Sequence, residues 1–243
     1  VEGQSDLFAR IERASKALRG QLPDVGPGIV GALIRQAQLR LNAMRESEAE
    51  TILLDAIEKY PQAADLHSFL GYAYKRMGRI ADARSQFEAA LKLKCKRKEL
   101  FRQWARMEMG EKEWSKAIAV AEKAVKAAPD FYEMLELKVY AKRQAGFDLY
   151  RGLHRDKAER MWREAVEDVK QGIRPPEALQ AGERQISSSL LCSVVICLDM
   201  LGDLRERDRW FQQWAAEHPD DPQVQRQRDF LIQKRGTFFS AGL

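Results

Sequence analysis

The chain has 243 residues, of which 45% are hydrophobic and 32% are charged, with 8 prolines and 15 glycines. This composition excludes a disordered or collagen-like chain and is typical of a helical protein with a charged surface. The 41 basic residues exceed the 36 acidic ones by only five, so the net charge does not by itself indicate a nucleic-acid partner.

Cysteine usage and hydropathy narrow the class of protein further. The three cysteines have no CxxC spacing, which argues against a zinc site or a disulfide framework and favours a reducing compartment, the cytoplasm. No stretch approaches the ~18 apolar residues of a membrane-spanning helix, since the most apolar run, residues 190–201, contains Ser193 and Asp199. The chain begins with Val1, so we expect a processed N-terminus or a region cut from a longer protein.

Residues 1–22 predict a helix, with Ser5 as its capping residue, apolar residues at helical spacing and Gly20 at its end. This helix does not share the repeat spacing of the residues that follow. We therefore interpret it as an N-terminal cap or as the end of an upstream repeat. The following residues up to Pro27 include two prolines and a glycine and predict a linker.

From residue 30 onward, small and apolar residues recur with a constant period of 34 residues. The recurring sets are Ala49, Ala83 and Ala117; Ala56, Ala90 and Ala124; and Pro61, Cys95 and Pro129. Each period contains two stretches of helical spacing, separated in the second period at Gly78. The pattern predicts three antiparallel helix pairs, over residues 30–63, 64–97 and 98–131, which together form a regular region at 28–131.

This pattern resembles the tetratricopeptide repeat (TPR) family, in which a small residue stands where two helices cross and a proline often follows the second helix. The resemblance covers most of the chain. It implies an all-α fold, a right-handed superhelix of about five helix pairs with helical caps. The resemblance also implies a protein that binds a partner, but it does not identify that partner.

A fourth unit, residues 132–170, departs from the period. Gly146 stands where the period places the turn, but Ala158 follows Ala117 by 41 residues, seven more than the period. The stretch FDLYRGLHRD, residues 147–156, accounts for the difference. It either lies in a longer connection that carries specificity or extends the two flanking helices.

The remaining residues predict a linker, a fifth unit and a cap. Pro175 and Pro176 interrupt the helical pattern within the linker, residues 171–187. The fifth unit, residues 188–221, has a turn at Gly202. Residues 222–243 predict a capping helix and an apolar tail, which we expect to pack on the last helix pair, to occupy a groove of this or a neighbouring chain, or to continue into a further domain. The apolar tail residues are Phe238, Phe239 and Leu243.

The chain carries no recognisable catalytic or metal-binding pattern. His67, His154 and His218 lie on different predicted elements and lack the spacing of metal ligands. No phosphate-binding glycine loop or nucleophile motif is present. We therefore expect no enzymatic activity, no cofactor and no metal ion.

The resemblance implies that a ligand contacts the inward face of the first helix of each pair. The positions carried over are Ile34, Gln38, Leu41, Ser68, Tyr72, Lys75, Arg76, Arg102, Arg106, Met109, Glu136, Tyr140 and Arg143. We predict a partner-binding groove formed by Gln38, Tyr72, Lys75, Arg76, Arg102, Arg106, Tyr140 and Arg143. Its cations and tyrosines favour an acidic peptide or helix.

Acidic residues near this groove leave a second interpretation open. Glu99, Glu133 and Glu136 lie close enough in sequence to take up the positive charge in ion pairs. The carboxylate clamp of chaperone-binding TPR proteins is absent, because Ile34, Gln38, Ser68 and Tyr72 hold the matching places. The basic run at residues 92–98 suits the end of a helix and lacks the interleaved aromatic residues of an RNA-binding patch.

The function predicted from these features is a protein-interaction module, acting as an adaptor or scaffold. One alternative is a repeat region of a larger signalling or regulatory protein that mediates self-association or sensing. Nucleic-acid binding is a further, less favoured alternative. Homo-oligomerisation remains open, and no membrane insertion is expected.

Overall fold

The structure is a computed structural model that describes residues 26–95, 97–128, 132–172 and 186–240, with side chains from Gly28 to Gln233. The predicted first helix at residues 1–22 lies outside the described residues. So do most of the predicted linker at 171–187, the side chains of Phe238 and Phe239, and Leu243.

Eleven α-helices and no strand occur in this part of the chain. They are α1 (Gly26–Asn42), α2 (Glu46–Lys59), α3 (Ala64–Arg76), α4 (Ile80–Lys92), α5 (Lys98–Gly110), α6 (Trp114–Ala127), α7 (Tyr132–Arg151), α8 (Arg155–Gln171), α9 (Ser188–Leu201), α10 (Leu204–Glu217) and α11 (Pro222–Ser240). The predicted fold class, all-α with five helix pairs, is confirmed.

The turn inside each pair has the same backbone geometry. One residue of each turn adopts a left-handed conformation, with φ between 57° and 75°; these residues are Met44, Gly78, Lys112, Leu153 and Gly202. The N–H of the residue after the left-handed one donates to the carbonyl five residues before it, as from Arg79 to Tyr74 over 2.9 Å. This arrangement is a Schellman motif, which ends a helix and satisfies its last carbonyl groups.

Small residues lie where the two helices of a pair cross. In the α3–α4 pair, Ala83 and Ala90 are completely buried. A Cβ atom on Gly71 would lie 2.7 Å from the Phe87 ring, so only glycine allows this approach without movement of the ring. The 34-residue recurrence of small residues therefore has a direct packing cause.

The seven extra residues of the fourth pair extend α7. This helix has 20 residues where α3 and α5 each have 13. Seven residues are close to two full turns, so the apolar face keeps its direction within ~20°. Of the two interpretations of residues 147–156, helix extension is the one observed, and the turn lies at Leu153 instead of Gly146.

The chain forms two compact units, Val1–Met107 and Glu108–Leu243, with the boundary inside α5. The core of the first unit includes Leu66, Leu70 and Phe87. The core of the second unit surrounds Trp162 and Trp214, which contribute the largest completely buried side chains there.

Candidate functional site

The first unit contains a pocket of about 490 Å³, which we call the first-unit pocket. Its lining residues are Arg35, Gln38, Leu39, Leu41 and Asn42 from α1, Ser68, Phe69 and Tyr72 from α3, Phe87 from α4, and Arg97, Glu99, Leu100 and Gln103. The volume falls within the range of ligand-binding clefts, roughly 300–1,000 Å³. Gln38 and Tyr72 are the residues of the predicted groove that line it.

The polar groups of α1 in this pocket are available for hydrogen bonding. Gln38 and Asn42 are exposed and their amides form no hydrogen bond with another described residue. Arg35, on the same helix face, forms no ion pair within the described part of the chain. The Tyr72 hydroxyl is likewise unpaired among these residues, so one wall of the pocket offers donors and acceptors to a ligand.

The other predicted cations of the first unit are engaged with nearby side chains. Arg76 donates from Nη2 to Glu46 Oε1 over 2.8 Å, and Arg102 forms an ion pair with Glu99 on its own helix. These contacts match the ion-pair interpretation of the basic residues more closely than a freely available basic face. Neither arginine lines the pocket.

Lys75 lies at the edge of this charged group. Its Nζ donates to Gln103 Oε1 over 2.7 Å and lies 5.9 Å from the centre of the Tyr72 ring. Burial, followed by repulsion from Arg106, lowers the pKa of Lys75 below its usual value. Lys75 therefore holds the pocket residue Gln103 in place while keeping a positive charge close to the aromatic wall.

Asn42 is a pocket residue that the sequence analysis missed. It stands 34 residues before Arg76, which was identified as a groove position. The 34-residue period therefore indicates Asn42 as a groove position, although its side chain is neither charged nor aromatic. Ile34 was assigned to the inward face, but the structure buries it in the core.

In the second unit the predicted residues Tyr140 and Arg143 contact each other. The Arg143 guanidinium carbon lies 4.9 Å from the centre of the Tyr140 ring. Its Nη1 donates to Ser193 Oγ on α9 over 3.1 Å, while its Nε is buried and makes no hydrogen bond. Trp162 donates to the backbone carbonyl of Arg143 over 3.2 Å, which fixes the helix at this point.

The two cysteines beside Arg143 are neutral thiols. Burial raises the pKa of Cys192, although Arg143 and Arg226 act in the opposite direction. Burial also raises the pKa of Cys197 to about 12. Because the thiolate is the reactive form, neither residue has the properties of a nucleophile.

The histidines make local structural contacts. His67 lies 2.8 Å from Gln86 Oε1 through Nδ1 and 3.3 Å from the Pro61 carbonyl through Nε2, and His218 lies 3.1 Å from the Ile186 carbonyl. Across the described ranges, no group of His, Cys, Asp and Glu side chains is arranged to hold a metal ion. No helix in these ranges has the length and apolarity to cross a bilayer.

Comparison with known proteins places the chain among solved helical-repeat structures. It matches no protein-family model and no curated protein sequence. A tetratricopeptide repeat protein from Parabacteroides merdae is 20% identical, with a TM-score of 0.58, over 85% of this chain and 73% of that one. YrrB, described as a TPR protein with an unusual peptide-binding site, is 14% identical, with a TM-score of 0.54, over 88% and 97%.

BtubC from P. vanneervenii is 16% identical to this chain, with a TM-score of 0.53, over 90% of this chain and 91% of that one. Each of the three likenesses thus extends over most of the chain. At these levels of identity, the likenesses concern the fold and not the ligand.

Proposed function

Since the chain has the tetratricopeptide repeat fold, we propose that it is a protein-interaction module that binds a partner peptide in the first-unit pocket. The unpaired polar wall of α1 beside an aromatic surface carries this proposal. Stacked helix pairs commonly present such surfaces to extended peptides or helices. The module acts by binding and not by turnover, as an adaptor or scaffold in the cytoplasm.

The pocket wall suits the chemistry of a peptide backbone. Gln38 and Asn42 stand four residues apart on α1, so their amides follow one face of the helix. Each amide offers both donors and an acceptor, which match the N–H and C=O groups of an extended chain. Tyr72, Phe69 and Leu100 provide a surface for an apolar side chain of the same peptide.

Positive charge around the pocket favours an acidic partner. Arg35 lies in the pocket wall without an ion pair among the described residues, and Lys75 stands beside Tyr72. Exposed charges attract an acidic peptide over the ~8–10 Å within which salt does not screen them. We therefore propose that affinity for the partner falls as salt concentration rises.

Selection of peptides from a random library, followed by fluorescence anisotropy, tests the proposal. Gln38→Ala combined with Tyr72→Ala removes one hydrogen-bonding group and the aromatic surface, and we expect at least a tenfold loss of affinity, or ~1.4 kcal/mol. Gln62→Ala, an exposed glutamine outside the pocket, is the matched control. Wild-type affinity of the double variant for every selected peptide would contradict the proposal.

A further inference from the structure

Arg143 in the second unit is a mostly covered cation that lacks an acidic partner. Its Nε has no hydrogen bond, and its Nη1 contacts the neutral hydroxyl of Ser193. No carboxylate within the described residues forms an ion pair with it. A covered charge without a counter-charge is costly, so proteins usually supply one.

Other covered cations of the same unit follow this rule. Lys138 and Lys142 each lie 2.7 Å from a carboxylate oxygen of Asp168. Arg207 lies 2.7 Å from Asp199 and 2.6 Å from Asp208. Lys142 and Arg143 are adjacent in sequence, yet of the two only Lys142 forms an ion pair with a described residue. The Arg143 guanidinium thus differs from its covered neighbours in having no counter-charge among the described residues.

A second arginine, Arg226 of α11, acts electrostatically on the same cysteine, Cys192, as Arg143 does. The Ser188 hydroxyl donates to Asp221, which holds the start of α11 at the start of α9. Cys192 follows Ser188 by four residues, and the exposed Arg226 follows Asp221 by five and acts electrostatically on both Asp221 and the Cys192 thiol. Arg226 also forms no ion pair with a described residue. Two guanidinium groups without an ion pair among the described residues therefore act on the Cys192 thiol, together with the opposite charge of Asp221.

We propose that Arg143 and Arg226 form a carboxylate-binding site in the second unit, which holds an acidic side chain or the chain terminus of a bound peptide. The planar guanidinium offers paired donors that match the two oxygens of a carboxylate. Tyr140 supports the guanidinium of Arg143 from one face, and Ser193 fixes one of its nitrogens. The ligand class, a peptide, rests on the proposed function, although the residues lie in the other unit.

Binding of a fluorescein-labelled octaglutamate peptide at low salt, measured by anisotropy, tests this site. We expect Arg143→Gln and Arg226→Gln each to weaken binding about tenfold, because a charge-assisted hydrogen bond is lost. Arg163→Gln is the control, since Arg163 is an exposed arginine paired with Glu159 on α8. An octaglutamine peptide should not bind.

Two further measurements identify the source of the carboxylate and the role of the guanidinium. A C-terminally amidated octaglutamate that retains its affinity assigns binding to side chains, and one that loses it assigns binding to the terminus. Arg143→Lys keeps the charge without the paired donors, so its affinity should lie between those of wild type and Arg143→Gln. Circular dichroism melting confirms that each variant is folded.

The outcomes separate this inference from the proposed function. Unchanged octaglutamate binding by Arg143→Gln, or equal binding of octaglutamine, would overturn the carboxylate site. In that case, library peptides whose binding depends on Gln38 and Tyr72 would leave the first-unit pocket intact as a proposal. Conversely, octaglutamate binding that depends on Arg143 supports the site even if the first-unit variants bind normally.

Discussion

The α3–α4 pair and the α7–α8 pair are built on the same pattern but differ by two helical turns. In both, a glycine stands seven residues before the left-handed turn residue, and an aromatic residue stands nine residues after it. These are Gly71, Gly78 and Phe87 in the shorter pair and Gly146, Leu153 and Trp162 in the longer one. The turn and the glycine–aromatic crossing therefore move together, and the extra turns lie on the N-terminal side of Gly146.

This difference shows that the crossing point, and not the helix length, is the fixed element of the pair. Gly146 stands where the period predicted a turn, but it serves as the close-approach position that Gly71 fills in α3. Trp162 packs there with Phe147 and Tyr150 at ring distances of 5.6 and 5.8 Å. Phe147 and Tyr150 follow Gly146 and therefore lie outside the extra turns, at the places that Tyr72 and Lys75 hold in α3.

The largest expected effect comes from adding a methyl group at this crossing. In Gly146→Ala the new Cβ would lie 2.6 Å from Trp162 Cδ1 and closer still to Nε1, so the buried indole must shift. We expect a loss in the free energy of unfolding of ~2–3 kcal/mol, measured by urea denaturation. Gly71→Ala should cost less, about 1–2 kcal/mol, because its closest ring contact is 2.7 Å.

Gly110→Ala is the control for these two variants. It lies in α5 and a Cβ there meets no heavy atom within 4 Å, so alanine should be tolerated or slightly stabilising. If Gly146→Ala unfolds at the same urea concentration as the wild type, the indole is not held at the crossing and the equivalence with Gly71 is wrong.

The 34-residue period was sufficient to predict the helix pairs because the residues at each crossing must be small. Ala83 and Ala158 are completely buried, and each recurs at the place that packing requires. The turn of the fourth pair was placed wrongly because Gly146 matched the period for a different reason. A left-handed leucine at position 153 has no sequence signature that distinguishes it from an ordinary helical residue.

The candidate site was less predictable, because ion pairs join residues that are distant in sequence. Arg76 meets Glu46 across 30 residues, a contact that no spacing rule indicates. Conversely, the sequence left open an ion pair between Glu136 and the groove cations. In the structure Arg143 packs on Tyr140 and donates to Ser193, and no carboxylate among the described residues pairs with it. Whether a groove cation is paired depends on side-chain geometry in the folded pair, which periodicity does not contain.

The next prediction compares substitutions of two adjacent cations of α7, Lys142 and Arg143. Lys142→Met breaks a buried ion pair with Asp168, and we expect a loss of ~1–3 kcal/mol. This loss is smaller than the ~3–5 kcal/mol expected when a buried ion pair is completely broken, because Asp168 still forms its ion pair with Lys138 in the variant. Arg143→Met removes an uncompensated charge and should change stability by less than ~1 kcal/mol.

Thermal and urea denaturation of both variants measure this contrast. Equal losses in Lys142→Met and Arg143→Met would mean that Arg143 contributes to folding as much as its neighbour. The carboxylate-binding role would then lose its main support, since a residue kept for a ligand should contribute little to stability in the absence of that ligand.

The smallest expected effect is at the left-handed turn residue, which is Leu153 in the longer pair and Gly78 in the shorter one. Leu153 adopts φ of 63° with 82% of its surface exposed, so its side chain gains little from packing while its backbone is strained. Leu153→Gly should relieve the ~1–2 kcal/mol cost of the left-handed conformation, less the extra entropy of glycine in the unfolded chain. We expect a net gain of up to ~1 kcal/mol in the free energy of unfolding. Gly78→Ala is the converse variant, since its Cβ would meet no atom within 4 Å and only the φ of 74° opposes it. A lower urea midpoint for Leu153→Gly would show that the leucine side chain, and not the turn, stabilises this end of the pair.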